Sequence, residues 1–168
     1  METCNVVPTP MVKGLKLSQD QGPKTDEERE KMARVPYQSA VGALMYLAMC
    51  TRPDILYAVV TLARFMHNPG EAHWSAVKRI FRYLKRTVAY NISYVRNPKD
   101  TGAFFNLYGS SDASWVSDDF DTYKSNSGFV MLLADKAISW KSVKQLLTTQ
   151  STTEAEYMAA CMAMKEVV

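Results

Sequence analysis

Residues 127–145 read SGFVMLLADKAISWKSVKQ, and this stretch decides the fold class. Both halves are rich in β-branched and aromatic residues, which favours two strands, and the connection around residues 134–136 is short enough for a hairpin. Residues 151–168, STTEAEYMAACMAMKEVV, then combine a Ser/Thr cap, early glutamates and an Ala- and Met-rich body, which predicts a helix. With a third strand-like run at residues 103–114, the order is predicted to be β-β-β-α. A sheet of this kind keeps an open edge on which another strand can pair.

The first half of the chain is predicted to be helical. Thr25 can cap a short acidic helix that Pro36 ends, and Thr51 can cap a later helix that has Pro53 in its first turn. Three segments repeat apolar residues at helical spacing, which predicts a small bundle. Their apolar positions are Tyr37, Val41, Leu44, Met45 and Ala48; Ile55, Val59, Leu62 and Met66; and Trp74, Val77, Ile80, Phe81 and Leu84. Residues 88–95, VAYNISYV, alternate and predict a strand that leads into the second half.

Composition excludes several classes of protein. No apolar run approaches the roughly 18 to 20 residues that span a bilayer, and residues 1–11 lack the pattern of a secretory signal, so no membrane association is expected. The three cysteines, Cys4, Cys50 and Cys161, match neither a zinc spacing nor a disulfide framework. We therefore expect reduced, mostly buried thiols in an intracellular protein of the cytoplasm or the nucleus. His67 and His73 flank a Pro-Gly turn, where we expect solvated side chains and no metal site.

Charge is unevenly distributed although the net charge is only +3. Residues 64–99 contain eight positive residues against a single acid, whereas residues 112–121 contain four acids and no base. Lys78, Arg82, Lys85 and Arg86 fall at i, i+4, i+7 and i+8 beside the third apolar stripe. We name these four residues the basic ridge. Such a ridge suits the tracking of a phosphate backbone, although a solvated helix face explains the same pattern.

Asp112 and Glu156 are the candidate metal ligands. Asp112 ends a strand-like run and Glu156 lies in the first turns of the last predicted helix. Carboxylates from a strand end and a neighbouring helix can meet around Mg²⁺, which prefers oxygen ligands. The alternative is that Asp112 is a turn residue and Glu156 an acid favoured by the helix dipole.

Long stretches of the chain resemble the polyproteins of copia-type LTR retrotransposons. Residues 35–87 resemble the segment that follows the polymerase palm. SDASW at 111–115, KSNSGFVMLL at 124–133, AISWKSVKQ at 137–145 and STTEAEYMAA at 151–160 resemble the start of their RNase H domain. The resemblance runs in collinear order over nearly the whole chain.

The resemblance implies an α+β chain that begins in one domain and ends inside another. Residues 1–25 would be an extended leader from the end of the palm, and residues 26–100 a helical bundle like the polymerase thumb and connection. Residues 101–168 would be the truncated β-β-β-α half of an RNase H-like domain. By motif, Asp112 and Glu156 match the aspartate and glutamate that RNase H enzymes offer to Mg²⁺. Glu154 is a rival for the second position, although the Glu-Tyr-Met-Ala-Ala order favours Glu156.

The functional expectations follow from that resemblance. The remaining active-site residues of the family would lie beyond Val168, and the polymerase motif Tyr-x-Asp-Asp is absent from these residues. The chain alone is therefore expected not to cleave RNA–DNA hybrids. Its expected partners are an RNA–DNA hybrid or primer-template duplex in the parent polyprotein, together with other polyprotein fragments. Two alternatives are a ribonuclease completed by missing elements and a non-functional genomic relic.

Overall fold

A computed structural model describes residues 4–94, 107–115 and 122–167. The chain divides into two compact units, Met1–Tyr90 and Asn91–Val168. The described residues form an α+β structure, as predicted, with five α-helices and one three-stranded antiparallel sheet. No helix in these ranges is long and apolar enough to cross a membrane.

The first unit is a bundle of four α-helices. They are α1 (Asp26–Ala33), α2 (Tyr37–Cys50), α3 (Leu56–Ala63) and α4 (Glu71–Arg86). Thr25 caps α1 as predicted: its hydroxyl accepts a hydrogen bond from Glu28 N (3.2 Å), and the Glu28 carboxylate accepts one from Thr25 N (3.3 Å). An exposed ion pair between Lys31 and Glu71 (2.8 Å) links α1 to the start of α4.

The core of the bundle comes largely from the predicted apolar stripes. Every predicted position on α2 is buried except Met45, which is half-buried, and the α3 stripe is buried up to Leu62. The Tyr37 hydroxyl donates to the Leu62 carbonyl oxygen (2.8 Å), which joins α2 to α3 inside the core. Burial of this hydroxyl raises the pKa of Tyr37 well above its ordinary value, so the phenol stays protonated and keeps donating.

Two local predictions in this unit are wrong. Thr51 does not cap α3, because its hydroxyl donates back to the Leu47 carbonyl oxygen (3.4 Å) and ends α2; a short 3-10 turn at Pro53–Ile55 then leads into α3. Residues 88–94 form no strand: a turn follows α4 and the chain then runs without regular structure. Alternation alone does not make a strand unless a neighbour accepts its backbone hydrogen bonds. The rest of the predicted lead-in strand lies outside the described residues.

The sheet of the second unit contains β1 (Leu107–Ser114), β2 (Asn126–Leu133) and β3 (Lys136–Lys144), in that order. Leu107 pairs with Leu133 and Ser114 with Asn126, so β1 and β2 are in register along their whole length. Asn126 also pairs with Lys144, which brings the end of β1, the start of β2 and the end of β3 to one edge. The β2–β3 pairing shifts register between Met131 and Leu132.

The predicted hairpin is confirmed, and its turn has two residues. Ala134 (φ 53°) and Asp135 (φ 60°) both adopt the left-handed conformation, which two-residue hairpin turns of the mirror-image type require. Alanine is unfavourable there, because its Cβ crowds the following carbonyl oxygen. The Tyr108 hydroxyl donates to Asp135 Oδ1 and so links β1 to this turn.

Helix α5 (Thr152–Val167) packs on β1 and β2. Its buried face consists of Ala155, Ala159 and Ala163, at a spacing of four residues, and Ala163 contacts Phe129 and Met131 of β2. The methionines of this helix contribute less to the packed face: Met158 and Met162 are half-buried, and Met164 is 63% exposed. Alanine on the packed face lets the helix approach the sheet closely.

The cysteines are unpaired, as the spacing predicts, but none is buried: Cys4 and Cys161 are half-buried and Cys50 is exposed. The expectation of buried thiols is wrong because Cys50 lies on the outer face of α2, near the exposed Tyr46 and Met49.

Replacement of Ala134 by glycine should stabilise the second unit. Glycine adopts the left-handed conformation without strain, so Ala134→Gly is expected to raise the free energy of unfolding by about 0.5–1 kcal/mol. Ala137→Gly, in β3, is the matched control and should lower it by a similar amount, since a glycine within a strand costs backbone entropy. Urea denaturation followed by circular dichroism measures both variants. Equal destabilisation by the two would contradict the assigned turn.

Candidate nucleic-acid interface and carboxylate pair

Helix α4 positions the basic ridge. Its buried face consists of His73, Ala76, Val77, Ile80 and Tyr83. At 100° per residue, the ridge residues point away from this face. Lys78, Lys85 and Arg86 are exposed and Arg82 is half-buried. Packing of the helix thus holds four cationic side chains on one side.

Residues of the leader lie across part of this ridge. Arg82 Nε donates to the Asn5 carbonyl oxygen (2.6 Å) and Lys85 Nζ donates to the Cys4 carbonyl oxygen (3.0 Å). Next to them, Arg79 Nη2 donates to Thr9 Oγ1 (2.9 Å). The spacing of charges in the sequence could not predict these contacts, because the leader has no periodic pattern that would indicate which surface it packs on.

His73 differs from the expectation of a solvated side chain. It is fully buried in the first turn of α4, where its ring stacks on Phe65 with centroids 4.1 Å apart. Its Nδ1 accepts a hydrogen bond from Gly70 N (2.9 Å) and so caps the helix. The imidazole therefore serves the start of α4 as a capping group. His67 is exposed, as expected.

Arg52 forms a second polar cluster, which was not predicted from the sequence. Arg52 is only 8% exposed; its Nε donates to Asp54 Oδ1 (2.9 Å) and its Nη2 to Asp54 Oδ2 (2.7 Å). Nη1 also donates to the Thr87 carbonyl oxygen (3.2 Å), and Tyr83 OH donates to Asp54 Oδ2 (2.8 Å). The sequence signal that could have indicated this cluster is the Arg-x-Asp spacing, which allows a bidentate pair between guanidinium and carboxylate within one turn. The cluster ties the start of α3 to the end of α4, next to the ridge.

The same contacts set the ionisation of Asp54. Burial opposes the charged carboxylate, but hydrogen bonds from Arg52 and Tyr83 outweigh burial and hold the pKa of Asp54 below its ordinary value. For Arg52, the hydrogen bond to Asp54 raises the pKa of the guanidinium. Both groups are therefore charged at neutral pH.

Asp112 lies near the end of β1, where it pairs with Gly128 and is exposed. Its neighbour Ser111 pairs with Phe129, which packs on α5. Directly paired residues share a face and successive residues alternate, so Asp112 belongs to the sheet face that α5 does not cover.

Glu156 and Glu154 have different surroundings at the start of α5. The Glu154 carboxylate accepts from Gln150 N (2.8 Å), while Glu154 N donates to Ser151 Oγ (3.1 Å), so Glu154 is a capping residue. Glu156 is exposed and makes no hydrogen bond or ion pair to another described residue. This difference favours Glu156 over its rival as a free ligand.

The last strand end and the first turn of α5 are joined by Gln145. Its Nε2 donates to Ser127 Oγ (2.8 Å) and to the Ala155 carbonyl oxygen (3.0 Å). Asp112 and Glu156 therefore lie near the same end of the sheet but on opposite faces of it, so the structure does not bring them together. Within the described ranges, no three acidic, histidine or cysteine side chains cluster as a metal site. The carboxylates of Asp112 and Glu156 offer the oxygen ligands that Mg²⁺ prefers, but these two groups do not make a two-ion site.

Comparison with known proteins identifies the family. The chain is 44% identical over all 168 residues to the Retrovirus-related Pol polyprotein from transposon TNT 1-94 of Nicotiana tabacum, of which it covers 12%. It is 41% identical over 167 residues to the corresponding polyprotein from transposon RE1 of Arabidopsis thaliana, of which it covers 10%. It is also 42% identical over 137 residues, 82% of its length, to the Secreted RxLR effector protein 161 of Plasmopara viticola, of which it covers 92%.

The chain belongs to the family of copia-type retrotransposon Pol polyproteins. It spans about a tenth of the length of the transposon polyproteins that it matches. No family model matches it, and no solved structure matches it. For this Pol polyprotein segment, the relatives therefore establish the family.

Loss of the Asp54 carboxylate should destabilise the first unit in a pH-dependent way. Because the pKa of Asp54 is lowered in the folded chain, its stabilisation is complete above the unfolded pKa and is lost as the pH falls through the folded one. Asp54→Asn is expected to cost about 2 kcal/mol at pH 7, since it leaves the buried Arg52 without its carboxylate. The deficit relative to the unmodified chain should shrink below about pH 4.

The matched control is Asp26→Asn. Asp26 pairs with Arg29 on the surface, and its side chain is 93% exposed. Its loss should cost no more than about 0.5 kcal/mol. Thermal denaturation between pH 3 and pH 7 measures both variants. A deficit for Asp54→Asn that is as small as the control's, or that does not change with pH, would refute the role of the cluster.

Proposed function

We propose that the chain is a segment of the reverse transcriptase and RNase H region of a retrotransposon Pol polyprotein, with nucleic-acid binding as its remaining activity. The observation that carries the proposal is the ridge on α4, which presents Lys78, Lys85 and Arg86 to solvent from a packed helix. Cationic side chains on one side of a packed helix can neutralise several phosphates of one backbone, and each neutralised phosphate releases counterions. The ligand would be a duplex, such as an RNA–DNA hybrid or a primer-template.

Lys78 and Arg86 define the exposed ends of the ridge, eight residues apart. Two turns of helix separate them by about 12 Å, which lets them reach different phosphates of one duplex. Neither side chain makes a hydrogen bond or ion pair to another described residue. They therefore need not break a hydrogen bond or ion pair with a described residue before they bind a phosphate.

Neutralisation of both ends should weaken duplex binding and reduce its salt dependence. For Lys78→Gln with Arg86→Gln, the slope of log K against log salt should fall in magnitude by about 0.9 for each phosphate that the variant no longer neutralises. Lys13→Gln with Arg34→Gln removes the same charges from exposed positions elsewhere in the first unit and serves as the control. Fluorescence anisotropy with a labelled hybrid duplex at several salt concentrations measures both pairs. An equal weakening of binding by the two pairs would show that only net charge matters.

The second unit is proposed to be the opening half of an RNase H-like domain that lacks activity by itself. In support, the order β-β-β-α and the match of Asp112 and Glu156 to the family's motif agree with such a domain, although the two carboxylates lie on opposite faces of the sheet in this chain. An alternative is a Mg²⁺-dependent hybrid ribonuclease that becomes active when further elements complete the site; the match of both carboxylates to the family's motif favours this candidate in the parent polyprotein. Two carboxylates alone should hold Mg²⁺ too weakly for two-ion catalysis.

The purified chain is expected not to cleave an RNA–DNA hybrid in Mg²⁺. The measurement is gel analysis of a hybrid with a labelled RNA strand, with the chain and its variants in parallel. Cleavage that Asp112→Asn and Glu156→Gln abolish, but that Glu154→Gln leaves intact, would overturn this prediction. Cleavage that persists in all three variants indicates a contaminating nuclease.

A further inference from the structure

Cys4–Thr9 is the part of the leader that lies across the basic ridge, and we name it the leader strap. Val7 anchors it: this side chain is 6% exposed, whereas its neighbour Val6 is 48% exposed. Three cationic side chains of α4 donate to the strap, namely Arg79, Arg82 and Lys85. Two of these belong to the ridge. When the strap lies on α4, Arg82 and Lys85 of the basic ridge already donate hydrogen bonds to it, while the ridge keeps its positive charge.

The acceptors in the strap are all uncharged. They are the carbonyl oxygens of Cys4 and Asn5 and the hydroxyl of Thr9. A neutral acceptor satisfies the geometry of a guanidinium or ammonium donor but does not cancel its charge. A phosphate oxygen carries negative charge, so the same cationic donors gain a Coulomb attraction to phosphate that a carbonyl or hydroxyl oxygen does not offer. Phosphate is therefore the better partner for the same donors.

We propose that the leader strap is an autoinhibitory contact that competes with nucleic-acid phosphates for Arg79, Arg82 and Lys85. The inference rests on the proposed function. The seated strap leaves the chain to bind a duplex through Lys78 and Arg86, and release of the strap adds three donors on the same side of α4. The positive charge of the ridge attracts the duplex in both states, and the strap limits how many phosphates are contacted.

The adjacent valines provide matched variants of the full chain. Val7→Ser removes the buried anchor, and Val6→Ser makes the same chemical change at an exposed position. For Val7→Ser, the salt slope of binding to a hybrid duplex should steepen by about 0.9 for each donor released, up to about three donors. At low salt the affinity should rise severalfold. Val6→Ser should bind like the unmodified chain.

A chain that begins at Met11 gives a second route, because it lacks the strap altogether. It should reproduce the steeper slope of Val7→Ser. Circular dichroism melts verify that both variants remain folded. Thr9→Val, which removes only the hydroxyl that accepts from Arg79, keeps the experiment decisive if the other two variants unfold; it should steepen the slope by about 0.9.

The methyl NMR signals of Val7 in the unmodified chain report the position of the strap, because Val7 is buried when the strap lies on α4. We expect these signals to move towards those of the exposed Val6 when a saturating hybrid duplex is added. Unchanged Val7 signals at saturation, or identical salt slopes for Val7→Ser, Thr9→Val and Val6→Ser, would overturn the strap inference while duplex binding itself stands. Failure of every form to bind the duplex, including the chain from Met11, would overturn the proposed function and the strap inference with it.

Discussion

Burial of one face of α4 is the constraint on which the first unit depends. Val77 and Ile80 are fully buried, and their packing fixes the rotation of the helix about its axis. The rotation decides which side chains face outwards, so the direction of the basic ridge follows from the core. His73 caps one end of the helix and the Arg52 cluster holds the other, so the ridge lies between two anchored ends.

The second unit depends on strand register in the same way. The pairing of Asp112 with Gly128 sets the face to which the aspartate belongs, and a shift by one residue would move it to the side of α5. The two-residue turn at Ala134 and Asp135 fixes where β3 begins and ends, and Gln145 then fixes the first turn of α5 beside that edge. The position of the two carboxylates is thus set by three local features.

Most of the secondary structure was predictable, because periodic burial leaves a pattern in the sequence. The helical bundle, the three strands and the hairpin follow from spacing and β-propensity. The errors arose where a local pattern was ambiguous: Thr51 ends one helix instead of starting the next, and residues 88–94 alternate without a strand to pair with. His73 looked solvated because burial of a polar ring depends on a neighbour, Phe65, that sequence spacing does not reveal.

The candidate sites were only half predictable. Charge spacing found the ridge, but not the backbone carbonyls of the leader, which any sequence could supply. The family resemblance named Asp112 and Glu156, while their relation in space depends on register. Binding of a duplex by the basic ridge can be observed residue by residue in NMR spectra of the arginine Nε–H groups, recorded on titration with a short RNA–DNA hybrid. We expect the signals of Arg82 and Arg86 to shift while those of Arg29 and Arg34 do not. Shifts of all four to the same extent, or of none, would contradict a duplex-binding ridge on α4.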